Sequence, residues 1–278
     1  MNRLIFSQPD FSVKPTGAVM RENNLFACFS GLRVLLDRKT SSLPKISQLK
    51  GLLPDNFKPF ELAHTDDQVI FTFHPAEAME IEENDELAYF SINIFRSLPF
   101  ETAALITTSW HLWSWYQNHR FCGRCGKLLA PDPNERALRC GTCGHLQFPT
   151  ISPAVITAIT CGDRILLARN ANSPFANYAL VAGYVEVGET LEHAVCREAL
   201  EEVGVHVKNL HYLGDQPWGI SGSHMFAFHA EADDREPLKI QKSELSDAKW
   251  FDRSEIEERG HAVSIAFELI ERFRKGTL

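Results

Sequence analysis

The sequence predicts an α/β fold. An α/β/α sandwich on a mixed sheet is expected over residues 151–278, preceded by a four-cysteine module at 121–150 and a small α+β domain at 1–120. Three observations carry this expectation. Beyond Ile151, β-branched runs at 154–159 and 164–168 flank the turn Cys161-Gly162-Asp163, a hairpin pattern. A turn bracketed by Gly183 and Gly188 feeds a helix that Thr190 can cap and Gly204 can end. Four cysteines form two CxxC turns just before the sandwich.

Composition limits the classes of function. A length of 278 residues and 44% hydrophobic content allow more than one core. Lys+Arg 28 against Asp+Glu 36 gives a net charge of −8, which argues against general adhesion to nucleic acid or anionic membrane. Pro9, Asp10, Lys14 and Pro15 interrupt the region where a signal peptide needs an apolar run. No run approaches a membrane span, so the expected placement is cytoplasmic with no membrane partner.

Taken in order, the first hundred residues give apolar runs at 32–36 and 69–73 between Pro-rich and polar breaks, and read as strands. The acidic stretch 80–86 reads as a solvated loop or helix start. Residues 101–119 read as a helix whose Trp110, Trp113, Trp115 and Tyr116 point to a core or a subunit interface. Cys122-Gly123-Arg124-Cys125-Gly126 and Cys140-Gly141-Thr142-Cys143-Gly144 follow, fourteen residues apart. Thiolates so spaced on glycine knuckles can close a tetrahedron around Zn²⁺, and four protein ligands leave no open position, so the zinc is structural. A redox pair is the competing idea. Cys28, Cys161 and Cys196 read as buried small hydrophobes.

Further strands are expected at 179–182, 205–212, 225–230 and 248–251, a polar loop at 170–177, and helices at 254–258 and 264–274. In the helix after the glycine turn, Glu198, Glu201 and Glu202 fall within an arc of roughly 100°. That arc overlaps the side of Leu191, Ala194 and Val195, whereas a solvated face would lie opposite the apolar stripe. Carboxylates converging from the buried side repel one another and imply a cation among them, Mg²⁺ or Mn²⁺ by their oxygen chemistry.

The run Gly183, Glu189, Arg197-Glu198, Glu201-Glu202, Gly204 and Val205 resembles the Nudix box without a gap, over twenty-three residues. The Nudix fold is an α/β/α sandwich, and its members cleave diphosphate linkages. The order of parts resembles the NADH pyrophosphatase (NAD⁺ diphosphatase) branch, which carries a four-cysteine ribbon before the Nudix domain. The resemblance implies further site residues. Phe148, in Phe148-Pro149-Thr150-Ile151-Ser152-Pro153, and Tyr184 stand where the branch sandwiches the nicotinamide. Gln216, Pro217, Trp218 and Ser223 match a branch motif in which Asp215, Gly219, Ile220 and Ser221 depart, a flexible Gly-Ile-Ser replacing a rigid Pro-Phe-Pro. Glu244 matches a glutamate that serves the catalytic metals, and Ala266 an alanine whose backbone contacts adenine. Glu189 and Arg197 are expected to pair with each other.

The resemblance therefore implies metal-dependent hydrolysis of NAD(H) to NMN(H) and AMP, with NAD-capped RNA as a further substrate and a homodimer as the working form. ADP-ribose or another dinucleotide is the alternative substrate, favoured by the altered segment. A nucleotide-sensing regulator is the alternative from another class, disfavoured because every box carboxylate is present.

Overall fold

The structure is a computed structural model that describes residues 4–5, 16–77, 79–171, 177–235, 237–258 and 263–278. Two units form along the chain, Ser7–Thr150 with Gly219–Gly222, and Met1–Phe6 with Ile151–Trp218 and Ser223–Leu278. Strand β1 (Leu4–Ile5) belongs to the second.

In the first unit, β2 (Leu25–Phe26), β3 (Phe29–Ser30), β4 (Arg33–Asp37), β5 (Pro59–His64), β6 (Val69–Phe73) and β7 (Leu87–Ser91) make two three-stranded sheets, β2-β6-β5 and β3-β4-β7. The apolar runs at 32–36 and 69–73 are β4 and β6, as their β-branched and aromatic content implies. Helix α1 (Phe100–Asn118) packs on them, burying Trp110, Trp115 and Tyr116 with Leu36, Leu62 and Ile70. Trp110 meets Phe29 edge-on, ring centroids 5.4 Å apart. These aromatics are the core of their own unit. The acidic stretch is irregular, with Glu83 paired to Arg38.

Strands β8 (Leu129–Pro131), β9 (Leu138–Cys140) and β10 (Leu146–Gln147) form a small antiparallel sheet in the order β10-β9-β8. Leu138 enters the core under α1, and the buried Arg136 donates to the Leu62 carbonyl. The four-cysteine module thus shares a core with the N-terminal sheets. Residues 219–222 join the same unit. Ile220 packs against this core, and a Cβ at Gly219 would overlap the Thr107 carbonyl oxygen. The expected flexible Gly-Ile-Ser is instead seated on α1, and glycine is required at 219 by that approach.

The second unit holds a seven-stranded mixed sheet from β1, β11 (Ser152–Cys161), β12 (Arg164–Asn170), β13 (Val181–Tyr184), β14 (Val207–Trp218), β15 (Ser223–Ala232) and β16 (Leu245–Asp252). Its order is β1-β14-β15-β11-β12-β16, with β13 also on β11. Pairing is parallel between β11 and β15 and antiparallel between β11 and both β12 and β13. Alternation along β11 sets the layers. Ile156 and Ala158 face helix α3 (Ile265–Arg274), packing with Leu269, Ile270 and Phe273. Val155 faces helix α2 (Leu191–Glu198), packing with Ala194 and Val195. The sheet is covered on both sides, as an α/β/α sandwich requires.

Two expected elements differ. Residues 254–258 hold only a 3₁₀ turn, Arg253–Glu255, whose Glu255 accepts the Asp252 N–H. The loop at 170–177 lies partly outside the described residues. The other strands appear with ends shifted, and Ser264 caps α3 through the Phe267 N–H.

Candidate active site

Strand β13 delivers the glycine turn by pairing with β11, Tyr184 opposite Ala154 and Gly183 opposite Val155. Gly188 has φ +84°, a conformation that favours glycine, and closes a loop in which Glu189 accepts the Glu186 N–H at 2.9 Å. Thr190 then caps α2 by accepting the His193 N–H at 3.2 Å. The first box glycine has a separate cause. A Cβ at Gly183 would overlap the carboxylate of Glu198, so only glycine lets that carboxylate lie on β13.

Arg197 is the hub of the box. Its Nε and Nη2 grip the two oxygens of Glu189 at 2.9 Å each, the bidentate pairing expected for these residues. Nη2 also donates to the Tyr184 carbonyl at 2.8 Å, and Nη1 donates to Glu198 at 2.8 Å and Glu201 at 3.0 Å. One guanidinium thus ties the loop, the end of β13 and two box carboxylates together. Its hydrogen bonds, with those from the Glu186 N–H, hold the Glu189 carboxyl down at about 2.

Beyond Glu198 the helix changes character. Residues Ala199–Val203 form a π-turn, with Gly204 at φ +74° as its left-handed end. The wider turn leaves Glu198 and Glu202 buried while Glu201 and Leu200 face outward. This corrects the expectation that all three glutamates share the buried side, since an arc drawn for 3.6 residues per turn does not hold through i→i+5 bonding. Burial pushes Glu202 up to about 8, reinforced by the charges of Glu198 and Glu244, and burial raises Glu198 as well. Glu244 precedes β16 on an exposed turn, held through its carbonyl by the Ala171 N–H at 2.7 Å. The charges of Glu201 and Glu244 thus reach Glu198, and those of Glu198 and Glu244 reach Glu202, although among the described residues the carboxylates are not gathered as tightly as the cysteines are. Buried carboxylates with raised proton affinity are what a site for a hard divalent cation presents without its ion, so the donor set fits such a cation.

The remaining candidates are placed as follows. Tyr184 is 54% exposed at the end of β13. Gln216 is buried and spends its amide on the start of α3, donating to the Val263 carbonyl at 3.0 Å and accepting the Ile265 N–H at 2.7 Å. Its place is inside the scaffold, one residue from Ala266, which is half-buried on α3. Trp218 and Ser223 face each other across β14 and β15. Phe148 is 52% exposed and belongs to the first unit. Asp215, unremarked beyond its departure from the motif, accepts from Tyr212 and from His224 at 2.8 Å. Only the register that sets Pro217 opposite His224, two residues along from Asp215, could have flagged it. Cys196 corrects a further expectation, being exposed on the outer face of α2, while Cys28 is buried and Cys161 intermediate.

In the first unit the four cysteines come together, their sulfurs within 4.8 Å of one another. Cys122 and Cys143 are 3.7 Å apart and Cys125 and Cys140 3.4 Å. Both are far beyond a disulfide bond and near the spacing of about 3.8 Å that a tetrahedron with Zn–S of about 2.3 Å gives. Gly126 and Gly144, each at φ +71°, turn the knuckles so that backbone N–H groups face the sulfurs. Those of Cys143 and Thr142 bring Cys140 down to about 6, favouring the thiolate that zinc binds. The cluster fits a structural zinc.

Buried carboxylates on a glycine-fed helix within an α/β/α layer, with a separate four-thiolate cluster, define a Nudix hydrolase with a zinc ribbon. The chain matches the NUDIX domain over residues 150–273 and the NADH pyrophosphatase zinc ribbon domain over 117–148. It is similar to the NAD-capped RNA hydrolase NudC of Haemophilus influenzae, 38% identical over 181 residues, covering 64% of this chain and 68% of that one. It is also similar to the proteins of that name from Pasteurella multocida, 36% identical with 80% and 86% covered, and Pseudomonas aeruginosa, 36% identical with 72% and 73% covered. The chain belongs to the Nudix hydrolase family, in the group that carries this ribbon.

Proposed function

We propose that this hydrolase cleaves the diphosphate bond of NAD(H) to give NMN(H) and AMP, and acts on the same linkage in NAD-capped RNA. The observation that carries the reading is the buried pair Glu198 and Glu202, with Glu201 and Glu244 beside them and Arg197 holding Glu198 and Glu201. Relatives named NAD-capped RNA hydrolase support the substrate class. Glu198, Glu202, Glu201 and Glu244 would hold Mg²⁺ or Mn²⁺, which supplies charge neutralisation at the diphosphate and makes the attacking water more acidic. Arg197 fixes the carboxylates of Glu198 and Glu201, and Glu189 in turn fixes Arg197. Water adds to one phosphorus, the bridging P–O bond breaks, and the proton passes to Glu201, Glu202 or Glu244. Tyr184 presents an exposed ring for stacking on the nicotinamide, with Trp218, Ser223 and the backbone at Ala266 as further substrate contacts of the same unit. Gln216 serves by holding the start of α3 in place. Zinc at Cys122, Cys125, Cys140 and Cys143 supports the fold. The working form is a homodimer, and its compartment is the cytoplasm, a placement that seven cysteines free of disulfides support.

A second reading, ADP-ribose as substrate, is favoured by the Asp215–His224 pair and the seating of residues 219–222 on α1, both in the segment that departs from the branch. Release of AMP from NADH, NAD⁺, ADP-ribose and NAD-capped RNA under equal Mg²⁺ tests the choice. The proposal expects the highest kcat/KM on NAD(H) or NAD-capped RNA; a clear preference for ADP-ribose would replace it with the second reading.

A further inference from the structure

We infer that Gln241 is a positioning residue that aims Glu244 at the box carboxylates, an inference that rests on the metal-site reading above. Glu244 lies on an exposed turn, and among the described residues its carboxylate receives one hydrogen bond, from Gln241 Nε2 to Oε1 at 3.1 Å. Without that bond an exposed glutamate has free choice of rotamer. Gln241 is fixed by its own backbone. Its N–H donates to the Glu202 carbonyl at 3.0 Å, and its carbonyl accepts the N–H groups of Glu244 at 3.0 Å and Leu245 at 2.9 Å. Two residues earlier, the Lys239 N–H donates to the Val203 carbonyl at 2.9 Å. The 239–241 segment therefore runs along the π-turn in register. Gly204 is needed for this approach, since a Cβ there would lie 2.6 Å from that of Lys239.

The turn bearing Glu244 is thus referenced to the backbone of Glu202 itself, and the last link in the chain is the Gln241 amide. A neutral donor suits this task. It occupies Oε1, leaves Oε2 free for a cation, and does not cancel the carboxylate charge as lysine or arginine would. Any residue but proline at 241 would supply the backbone bonds; only the side chain supplies the link to Oε1. That separates a positioning role from a loop-building one.

The test uses the full-length, zinc-loaded protein and reads Mn²⁺ affinity by electron paramagnetic resonance titration, alongside kcat and KM on NADH and the thermal midpoint. Gln241→Met keeps the length and removes the donor. It should weaken Mn²⁺ binding about tenfold, with a similar fall in kcat and an unchanged midpoint. Gln241→Asn, one methylene too short, should behave the same way and serves if the Met variant fails to fold. In a Glu244→Gln background, Gln241→Met should add nothing, because its effect passes through Glu244. The inference is overturned if both Gln241 variants bind Mn²⁺ as the wild type does while Glu244→Gln binds weakly, or if the two losses multiply. If Glu244→Gln and Glu202→Gln both leave Mn²⁺ binding intact, the metal-site reading falls and the inference with it.

Discussion

Replacing Gly183 with alanine perturbs the site at one atom. The added Cβ would lie 2.5 Å from Glu198 Oε2, with Oε1 and Cδ nearer still, where ordinary contact is 3.4–4 Å. The carboxylate therefore has to withdraw by about 1 Å or more, a misplacement that commonly costs on the order of 10²-fold in rate. The same movement stretches the 2.8 Å bond from Arg197 Nη1, so the hub loses one of its carboxylates. Backbone strain adds nothing, because Gly183 is not at positive φ and sits in a regular strand pair with Val155. We expect AMP release from NADH with saturating Mg²⁺ to fall about 10²-fold in Gly183→Ala, with far-UV circular dichroism unchanged. Adding Glu198→Asp, one methylene shorter, should recover part of the loss by opening room for the Cβ. Turnover of Gly183→Ala within about threefold of wild type would refute the claim that Glu198 lies functionally on β13.

Three further outcomes follow from other parts of the molecule. Cys140→Ser should release zinc and remove a large share of the roughly 10–16 kcal/mol that a structural zinc site contributes at neutral pH; a variant that retains stoichiometric zinc by atomic absorption, with an unchanged melting midpoint, contradicts the four-thiolate site. Glu202, raised to about 8 in the fold from 4.5, holds a proton there that the unfolded chain has lost. Without magnesium or manganese, stability should fall as pH rises from 4.5 to 8, Glu202→Gln should flatten that slope, and cation binding at pH 7 should release protons in calorimetry across buffers. Gln216→Leu leaves the Val263 carbonyl and the Ile265 N–H unpaired, so denaturant unfolding should show a loss of about 2–4 kcal/mol, and a loss below about 0.5 kcal/mol would remove its role in seating α3.

Much of the candidate site's layout was legible because its constraints are local. Gly188, Thr190 and Gly204 are turn and cap residues whose types report their conformations, and the bidentate pairing of Glu189 with Arg197 follows from charge and spacing. The two CxxC knuckles were legible for the same reason. What escaped depends on long-range approach. The π-turn leaves no periodicity of its own, because residues 199–203 compose an ordinary helical sequence, yet it decides that Glu201 faces solvent while Glu202 does not. Gln216 looked like a substrate contact because its neighbours match a motif, and only the fold shows its amide meeting residues some fifty positions later. The segment at 219–222 read as flexible from glycine content, but its glycines serve close packing on α1. The first hundred residues were weakest because their strands are short and the chain alternates between two separate sheets.

The central claim is that buried box carboxylates drive hydrolysis of a dinucleotide diphosphate, and the most direct measurement is the steady-state release of AMP from NADH with Mg²⁺, wild type against Glu202→Gln. The account predicts AMP and reduced nicotinamide mononucleotide in equal amounts from the wild type, and a rate at least ~10²-fold lower from a folded, zinc-replete Glu202→Gln protein. Equal rates from the two proteins would contradict it.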